Sequence, residues 1–169
     1  LRHVANAHPN IQILHGIELE IHPDGKLDFE NHVLEDFDIV RASLHNHAGQ
    51  PGDVLTDRYL HAMANPCVNV ITHPANRSPL DLRGYDLDWE RLFDAARDTG
   101  TALEVDGAPG HLDLDGMLAR QAAAAGVTLA VDSDCHHSDA LARQIAADVY
   151  RARDILRRLS GATARSMLS

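Results

Sequence analysis

Five apolar runs of strand length alternate with helical patterns along the whole chain, and this alternation limits the possible folds most strongly. The runs lie at residues 11–21, 37–45, 68–74, 101–107 and 127–134. Short, nearly continuous apolar runs are typical of strands that are buried on both faces. Because strands separated by helices are joined by right-handed crossovers, the order predicts an α/β fold with a parallel sheet.

The segments between these runs have amphipathic helical patterns with recognisable ends. Four such patterns lie at residues 57–65, 88–100, 114–126 and 139–159, and a short helix is expected between residues 14 and 36. Thr56 is predicted to cap the first of the four, and Gly100 and Gly126 are predicted to end the second and the third. One domain over residues 1–160 is therefore expected, followed by a frayed tail at 161–169.

Charge and cysteine content limit the possible binding partners and the expected cellular compartment. The formal net charge of −10 is spread along the chain, which argues against a surface for long nucleic acids or for anionic membranes. Two cysteines form no disulfide framework, and the sequence has neither a signal peptide nor an apolar run near the length of a membrane span. A cytoplasmic protein without a membrane partner is expected.

Polar residues stand at the carboxyl end of every predicted strand. They are Glu18, Glu20, His45, His47, His73, Asp106, Asp134 and His136. A barrel collects its site from the carboxyl ends of many strands, whereas a doubly wound sheet places its ligand where the strand order reverses. The pattern favours a barrel, and because five strands are too few to close one, we expect an open barrel or part of a larger one.

Five of these residues are expected to form one metal site, because neighbouring parallel strands lie only about 4.8 Å apart. They are Glu18, His45, His73, Asp134 and His136. Mixed histidine and carboxylate ligands suit zinc, manganese or iron more than calcium. Ordinary loop residues that are satisfied by hydrogen bonds would explain any one of them, but their repetition across the strand ends favours a metal site.

Two further residues are candidates for binding a substrate phosphate. Arg77 lies four residues after His73, and its planar guanidinium could hold a phosphate with two hydrogen bonds, although a solvated loop arginine is the alternative. His111 lies in a loop at the same end of the expected barrel and is a second possible phosphate contact.

Segments that contain these residues resemble, in order, motifs of the PHP (polymerase and histidinol phosphatase) domain, most closely the version in bacterial family X DNA polymerases. The segments read LHGIELEIHPDGKLDF, IVRASLHNH, VITHPANR, ALEVDGAP and DSDCHH. The resemblance implies a distorted (β/α)7 barrel that binds up to three metal ions, manganese or zinc, and hydrolyses phosphoesters. This chain would supply the C-terminal five βα units of that barrel.

The resemblance also implies roles for the candidate ligands. Glu18 would bridge two metals, and Asp134 would bind one of them, so both are the expected catalytic residues. His45 would bind one ion of the pair, and His73 and His136 a third. The family begins with a His-x-His motif that does not occur ahead of the first predicted strand. We therefore expect an N-terminally incomplete ligand set, which a missing barrel segment or a second copy of the chain would complete.

The expected function is metal-dependent hydrolysis of phosphomonoesters or DNA 3′-terminal phosphoesters by a metal-activated water. One alternative is a catalytically incomplete PHP scaffold that supports a polymerase or another partner. A second is an amidohydrolase-like enzyme that acts on C–N bonds. That barrel uses a lysine on a strand, whereas Lys26 is the one lysine of this sequence and lies in a predicted turn.

Overall fold

A computed structural model describes residues 6–7, 9–78, 80–81, 83–108, 113–137 and 164–165. Within these residues, six parallel strands form a single sheet. They are β1 (Gly16–Glu20), β2 (Ile39–Ser43), β3 (Val70–Ile71), β4 (Ala102–Asp106), β5 (Leu129–Asp132) and β6 (Ala164–Arg165). The sheet order is β1-β2-β3-β4-β5-β6, so every strand is hydrogen-bonded to its neighbours in the sequence.

The sequential strand order separates the two architectures that the sequence allowed. A doubly wound sheet reverses its strand order at a switch point, whereas a barrel adds each new strand on the same side. The described strands show no such reversal. The prediction of an α/β fold is confirmed, and the sheet has the order of a partial (β/α) barrel.

Helices connect the strands within the described residues. They are α1 (Asn31–Leu34), α2 (Gly52–Met63), α3 (Trp89–Thr99) and α4 (Gly116–Ala124). The Asp88 side chain accepts a hydrogen bond from the backbone of Arg91 and so caps α3. Gly100 ends that helix in the left-handed conformation, with a φ of 78°, as predicted from the sequence.

The prediction that Thr56 caps a helix is wrong, because α2 begins four residues earlier, at Gly52. The Thr56 hydroxyl instead donates to the Gly52 carbonyl at 2.7 Å and accepts from the backbone N–H of Asp88 at 3.0 Å. At Gly52 a Cβ would lie 1.6 Å from the carbonyl oxygen of Asp86. Only glycine allows this close approach between the start of α2 and the segment ahead of α3.

Apolar side chains of the strands and helices pack into one main core. Leu19, Ile71 and Leu103 contribute from strands, and Leu55 and Leu92 contribute from helices. Burying these side chains supplies the main stabilisation of such a layered fold. In the part of the chain that the structure describes, no helix has the length and apolar character needed to cross a membrane.

The C-terminal predictions fall mostly outside the described residues. The helix predicted at 139–159 lies there entirely, and so does most of the predicted tail at 161–169. Two tail residues, Ala164 and Arg165, pair in parallel with Leu129 and Ala130 of β5. The domain bounds of 1–160 stay a prediction.

Candidate metal centre

Three of the predicted ligands meet at the carboxyl ends of the first three strands. Glu18 lies in β1, and His45 and His73 each lie two residues after the end of β2 and β3. Their possible ligand atoms all lie within 4.8 Å of one another. The Nε2 atoms of His73 and His45 lie 3.5 Å and 3.7 Å from Glu18 Oε1. A carboxylate and two imidazoles at this spacing could hold a zinc, manganese or iron ion.

The Glu18 carboxylate is held in place through both of its oxygens. Its Oε1 accepts hydrogen bonds from Ser43 Oγ at 3.2 Å and from Thr72 Oγ1 at 3.1 Å. Its Oε2 lies 3.7 Å from Arg41 Nε. Burial alone would raise the pKa of Glu18, but hydrogen bonding to His73 and the charge of Arg41 lower it to about 2. Glu18 is therefore ionised at neutral pH, as a metal ligand must be.

His73 is the most enclosed of the three, with 13% of its side chain exposed. Its backbone has a φ of 32°, a left-handed conformation that is uncommon for a residue other than glycine. The backbone N–H of His73 donates to Glu104 Oε2 at 2.6 Å, which fixes this turn at the end of β3. Burial would lower the pKa of His73, but hydrogen bonding to Glu18 and its charge outweigh burial and raise it. A metal ion would compete with that proton.

Glu20 shapes the loop that carries His45. Its carboxylate accepts hydrogen bonds from the backbone N–H groups of His45 at 3.1 Å and Asn46 at 3.0 Å. His45 Nδ1 lies 3.3 Å from Glu20 Oε2, and His45 Nε2 faces Glu18 on its other side. A carboxylate on one imidazole nitrogen fixes the ring so that the other nitrogen can bind a metal. Glu20 therefore positions the candidate ligand His45.

The two remaining predicted ligands, Asp134 and His136, lie beyond the end of β5. His136 Nε2 is 3.1 Å from Asp134 Oδ1, and 76% of the His136 side chain is exposed. Asp134 has a φ of 41°, a left-handed conformation like that of His73. Among the residues that the structure describes, neither joins the compact group formed by the other three ligands.

A cluster around Arg41 lies beside the candidate ligands and was not predicted from the sequence. The Arg41 guanidinium hydrogen-bonds to the carboxyl group of Glu104 and lies 2.9 Å from Asp132 Oδ2. Burial and the neighbouring Asp132 raise the pKa of Glu104, although Arg41 opposes them. The sequence did contain a signal, because Arg41 interrupts an apolar strand and alternates with Ser43 and His45 on one side of it.

Of the two predicted phosphate contacts, the structure describes only Arg77, and His111 lies outside the described residues. The Arg77 guanidinium pairs with the carboxylate of Asp115, which also caps α4. The backbone N–H of Arg77 donates to Asp113, whose pKa burial raises to about 6. Arg77 also lines a cavity of about 670 Å³ together with Trp89.

A parallel sheet with alternating helices, and with a histidine and carboxylate cluster at its carboxyl edge, defines an α/β domain with a candidate metal site. No family model matches the chain. The DNA polymerase/3′-5′ exonuclease PolX of Bacillus subtilis is 40% identical over 132 residues, which cover 78% of this chain and 23% of that protein. A probable phosphatase of Caldanaerobacter subterraneus is 32% identical over 75% of this chain and 51% of that protein. A probable phosphatase of Syntrophotalea carbinolica is 31% identical over 78% of this chain and 56% of that protein.

These homologues confirm the resemblance that the sequence motifs indicate. The chain belongs with the PHP domains related to family X DNA polymerases. The names of its relatives support a phosphoesterase family. The chain spans about half the length of the probable phosphatases and about a quarter of PolX.

Proposed function

We propose that this protein is a metal-dependent phosphoesterase that hydrolyses phosphomonoesters or DNA 3′-terminal phosphoesters. The convergence of Glu18, His45 and His73 on one point at the carboxyl ends of three strands carries the proposal. Metal use is supported by the types of donor atom, and phosphate chemistry by the names of the homologous phosphatases. Manganese and zinc are the proposed ions.

The side chains around this point would prepare it for a metal ion. Glu18 would offer Oε1, His73 Nε2 is held against that oxygen, and Glu20 keeps His45 Nε2 turned toward the same place. When bound, such an ion lowers the pKa of a water molecule and offsets charge on the phosphoryl oxygens. Asp134 is proposed as a second catalytic residue, and with His136 as a further ligand from the end of β5.

The proposed substrates are small or terminal phosphates. A chain with a formal charge of −10 is poorly suited to following a long nucleic acid, whereas a bound cation can attract a single phosphate group. PolX is named as a 3′-5′ exonuclease and the other relatives as probable phosphatases, so a DNA 3′ end and a small phosphomonoester are the two classes to compare. A cytoplasmic location and pairing with a second copy of the chain stay predictions.

The test is hydrolysis by the metal-stripped protein after each divalent ion is added back. p-Nitrophenyl phosphate and a 3′-phosphorylated oligonucleotide would serve as substrates. Manganese or zinc should restore activity and calcium should not, because nitrogen ligands favour transition metals. Asp134→Ala should reduce activity at least about 100-fold, as expected for a lost ligand, while Asp98→Ala on the exposed face of α3 should not.

Two outcomes would contradict the proposal. One is unchanged hydrolysis after complete metal removal, and the other is full activity in a folded Asp134→Ala protein. Tight metal binding without hydrolysis of either substrate would favour the non-catalytic scaffold instead.

Arg77 is proposed to bind the substrate phosphate, with His111 as a second contact. Arg77→Lys keeps the charge but loses the two-pronged geometry, so KM should rise about tenfold while metal content stays the same. Arg97→Lys, in an exposed pair with Asp94, is the matched control. An unchanged KM in Arg77→Lys would show that Arg77 does not bind the substrate phosphate and that its role is structural, as in its contact with Asp115 at the start of α4.

A further inference from the structure

The two oxygens of the Glu18 carboxylate face different kinds of partner. Oε1 faces His45 and His73, whose nitrogens lie 3.7 Å and 3.5 Å away. Oε2 faces Arg41, whose Nε lies 3.7 Å away. A carboxylate that bridges two metal ions through both of its oxygens gives one oxygen to each ion, and here the second oxygen lies beside a guanidinium.

Arg41 is held firmly at this position. Its guanidinium hydrogen-bonds to Glu104, whose side chain is 1% exposed, and lies 2.9 Å from Asp132 Oδ2. Glu18 and Arg41 are directly opposite each other in the pairing of β1 with β2. One permanent cation therefore links carboxyl groups from three strands, and carboxyl oxygens are the donors that a second metal ion would need.

We propose that Arg41 takes the place of a second metal ion beside Glu18, so that the Glu18–His45–His73 site holds a single, magnetically isolated divalent ion. The inference rests on the proposed function, because it requires that this site binds a metal. The guanidinium would occupy the position of the second cation and repel a divalent ion placed there. The family resemblance implies a bridging role for Glu18, and the contact between Arg41 and Oε2 disagrees with that role.

Arg41 also has a consequence for the reaction. A guanidinium can donate hydrogen bonds to a phosphoryl oxygen, but it cannot generate a hydroxide as a bound metal ion can. The Arg41 guanidinium therefore could not activate the nucleophilic water, and a bound metal ion would have to do so. Arg41 would act as a positioning residue that orients Glu18 and limits how many ions the site takes.

Electron paramagnetic resonance of the metal-stripped protein titrated with Mn²⁺ tests this proposal. The wild-type protein should bind one Mn²⁺ ion that His73→Ala does not bind. The spectrum of that ion should have the six lines of isolated Mn²⁺. Adding more Mn²⁺ should produce no signal of an exchange-coupled pair that Glu18→Gln abolishes. Arg41→Met should gain one equivalent of Mn²⁺ and show a coupled pair, because it removes the competing cation. Arg91→Met, which removes an exposed arginine paired with Asp57, should keep the wild-type stoichiometry.

The possible outcomes separate this inference from the proposed function. A coupled Mn²⁺ pair in the wild-type protein that disappears in Glu18→Gln would overturn the role of Arg41 and leave the phosphoesterase proposal intact. Failure of the wild-type protein to bind any Mn²⁺ that depends on His73 would overturn both. A folded Arg41→Met protein without an additional ion would also overturn the inference. The wild-type spectrum decides the main point without any variant, so the proposal stays testable if Arg41→Met does not fold.

Discussion

Replacing Glu18 by glutamine should lower kcat/KM for phosphomonoester hydrolysis by about 1,000-fold, the effect of losing several kcal/mol of charge stabilisation. Glutamine keeps the size of the side chain but removes the negative charge that faces His45 and His73. Metal content should fall together with activity, since one of the three ligands becomes a weak neutral donor. Steady-state kinetics with metal analysis of the same samples would measure both quantities.

Glu90→Gln, on the exposed face of α3, is the matched control and should retain full activity. If Glu18→Gln is folded and keeps more than a tenth of the wild-type kcat/KM, Glu18 is not a ligand of the catalytic metal. Equal losses in both variants would indicate a general effect of charge and not a site at Glu18.

The same variant gives a second result that does not depend on activity. In the metal-free protein, the Glu18 carboxylate raises the pKa of His73 above its ordinary value of 6.5, against the effect of burial. Glu18→Gln removes the two largest raising contributions and leaves burial opposed by the charges of Asp113 and Asp106, so the pKa of His73 should fall. NMR titration of the imidazole measures the change, and a pKa of His73 that does not fall would contradict the short contact between these side chains.

The sign of this shift also sets a pH dependence. Because the pKa of His73 is raised in the folded state, its ion pair with Glu18 contributes fully to the stability of the metal-free fold at pH values below the unfolded-state pKa. This contribution is lost as pH rises through the folded-state pKa. Metal binding has the opposite trend, because the ion needs the unprotonated imidazole. Apparent metal affinity should therefore increase as pH rises through the His73 pKa.

The sequence was sufficient to predict the layers of the fold and the convergence of three candidate ligands. Parallel strands have their carboxyl ends at one edge of the sheet. Where consecutive strands are also neighbours in the sheet, residues that directly follow them therefore lie close together. His45 and His73, each two residues after a strand, follow this rule. Helix ends were predicted well where glycine has a left-handed conformation, as at Gly100.

The rest of the site depends on contacts between residues that are far apart in the chain. Nothing local to Arg41 specifies that its partners are Glu104 and Asp132, which come from strands more than 60 residues later. The position of Glu20 under the His45 loop is likewise set by the turn of the backbone after β2 and not by a sequence pattern. Thr56 was misplaced because a hydroxyl that bonds back to a helix carbonyl has the same local sequence as a capping hydroxyl.

The second large effect is expected at Arg58, which lies in α2 and has only 1% of its side chain exposed. Its guanidinium joins the two loops that follow β1 and β2. The acceptors are the carbonyl oxygens of Ile21, His22, Asn46 and His47 and the side chains of Gln50 and Glu20. Arginine suits this position because its planar group presents five N–H donors in fixed directions.

Arg58→Met should lower the free energy of unfolding by about 3–5 kcal/mol, because it removes a buried cation and leaves its acceptors unpaired. Arg91→Met, which breaks an exposed pair with Asp57, should change it by less than about 1 kcal/mol. Urea denaturation of both metal-free variants gives these values. Since the Arg58 contacts hold the loop that contains His45, the metal affinity of any folded Arg58→Met protein should fall as well. Wild-type stability in that variant would mean that the two loops are held together without Arg58.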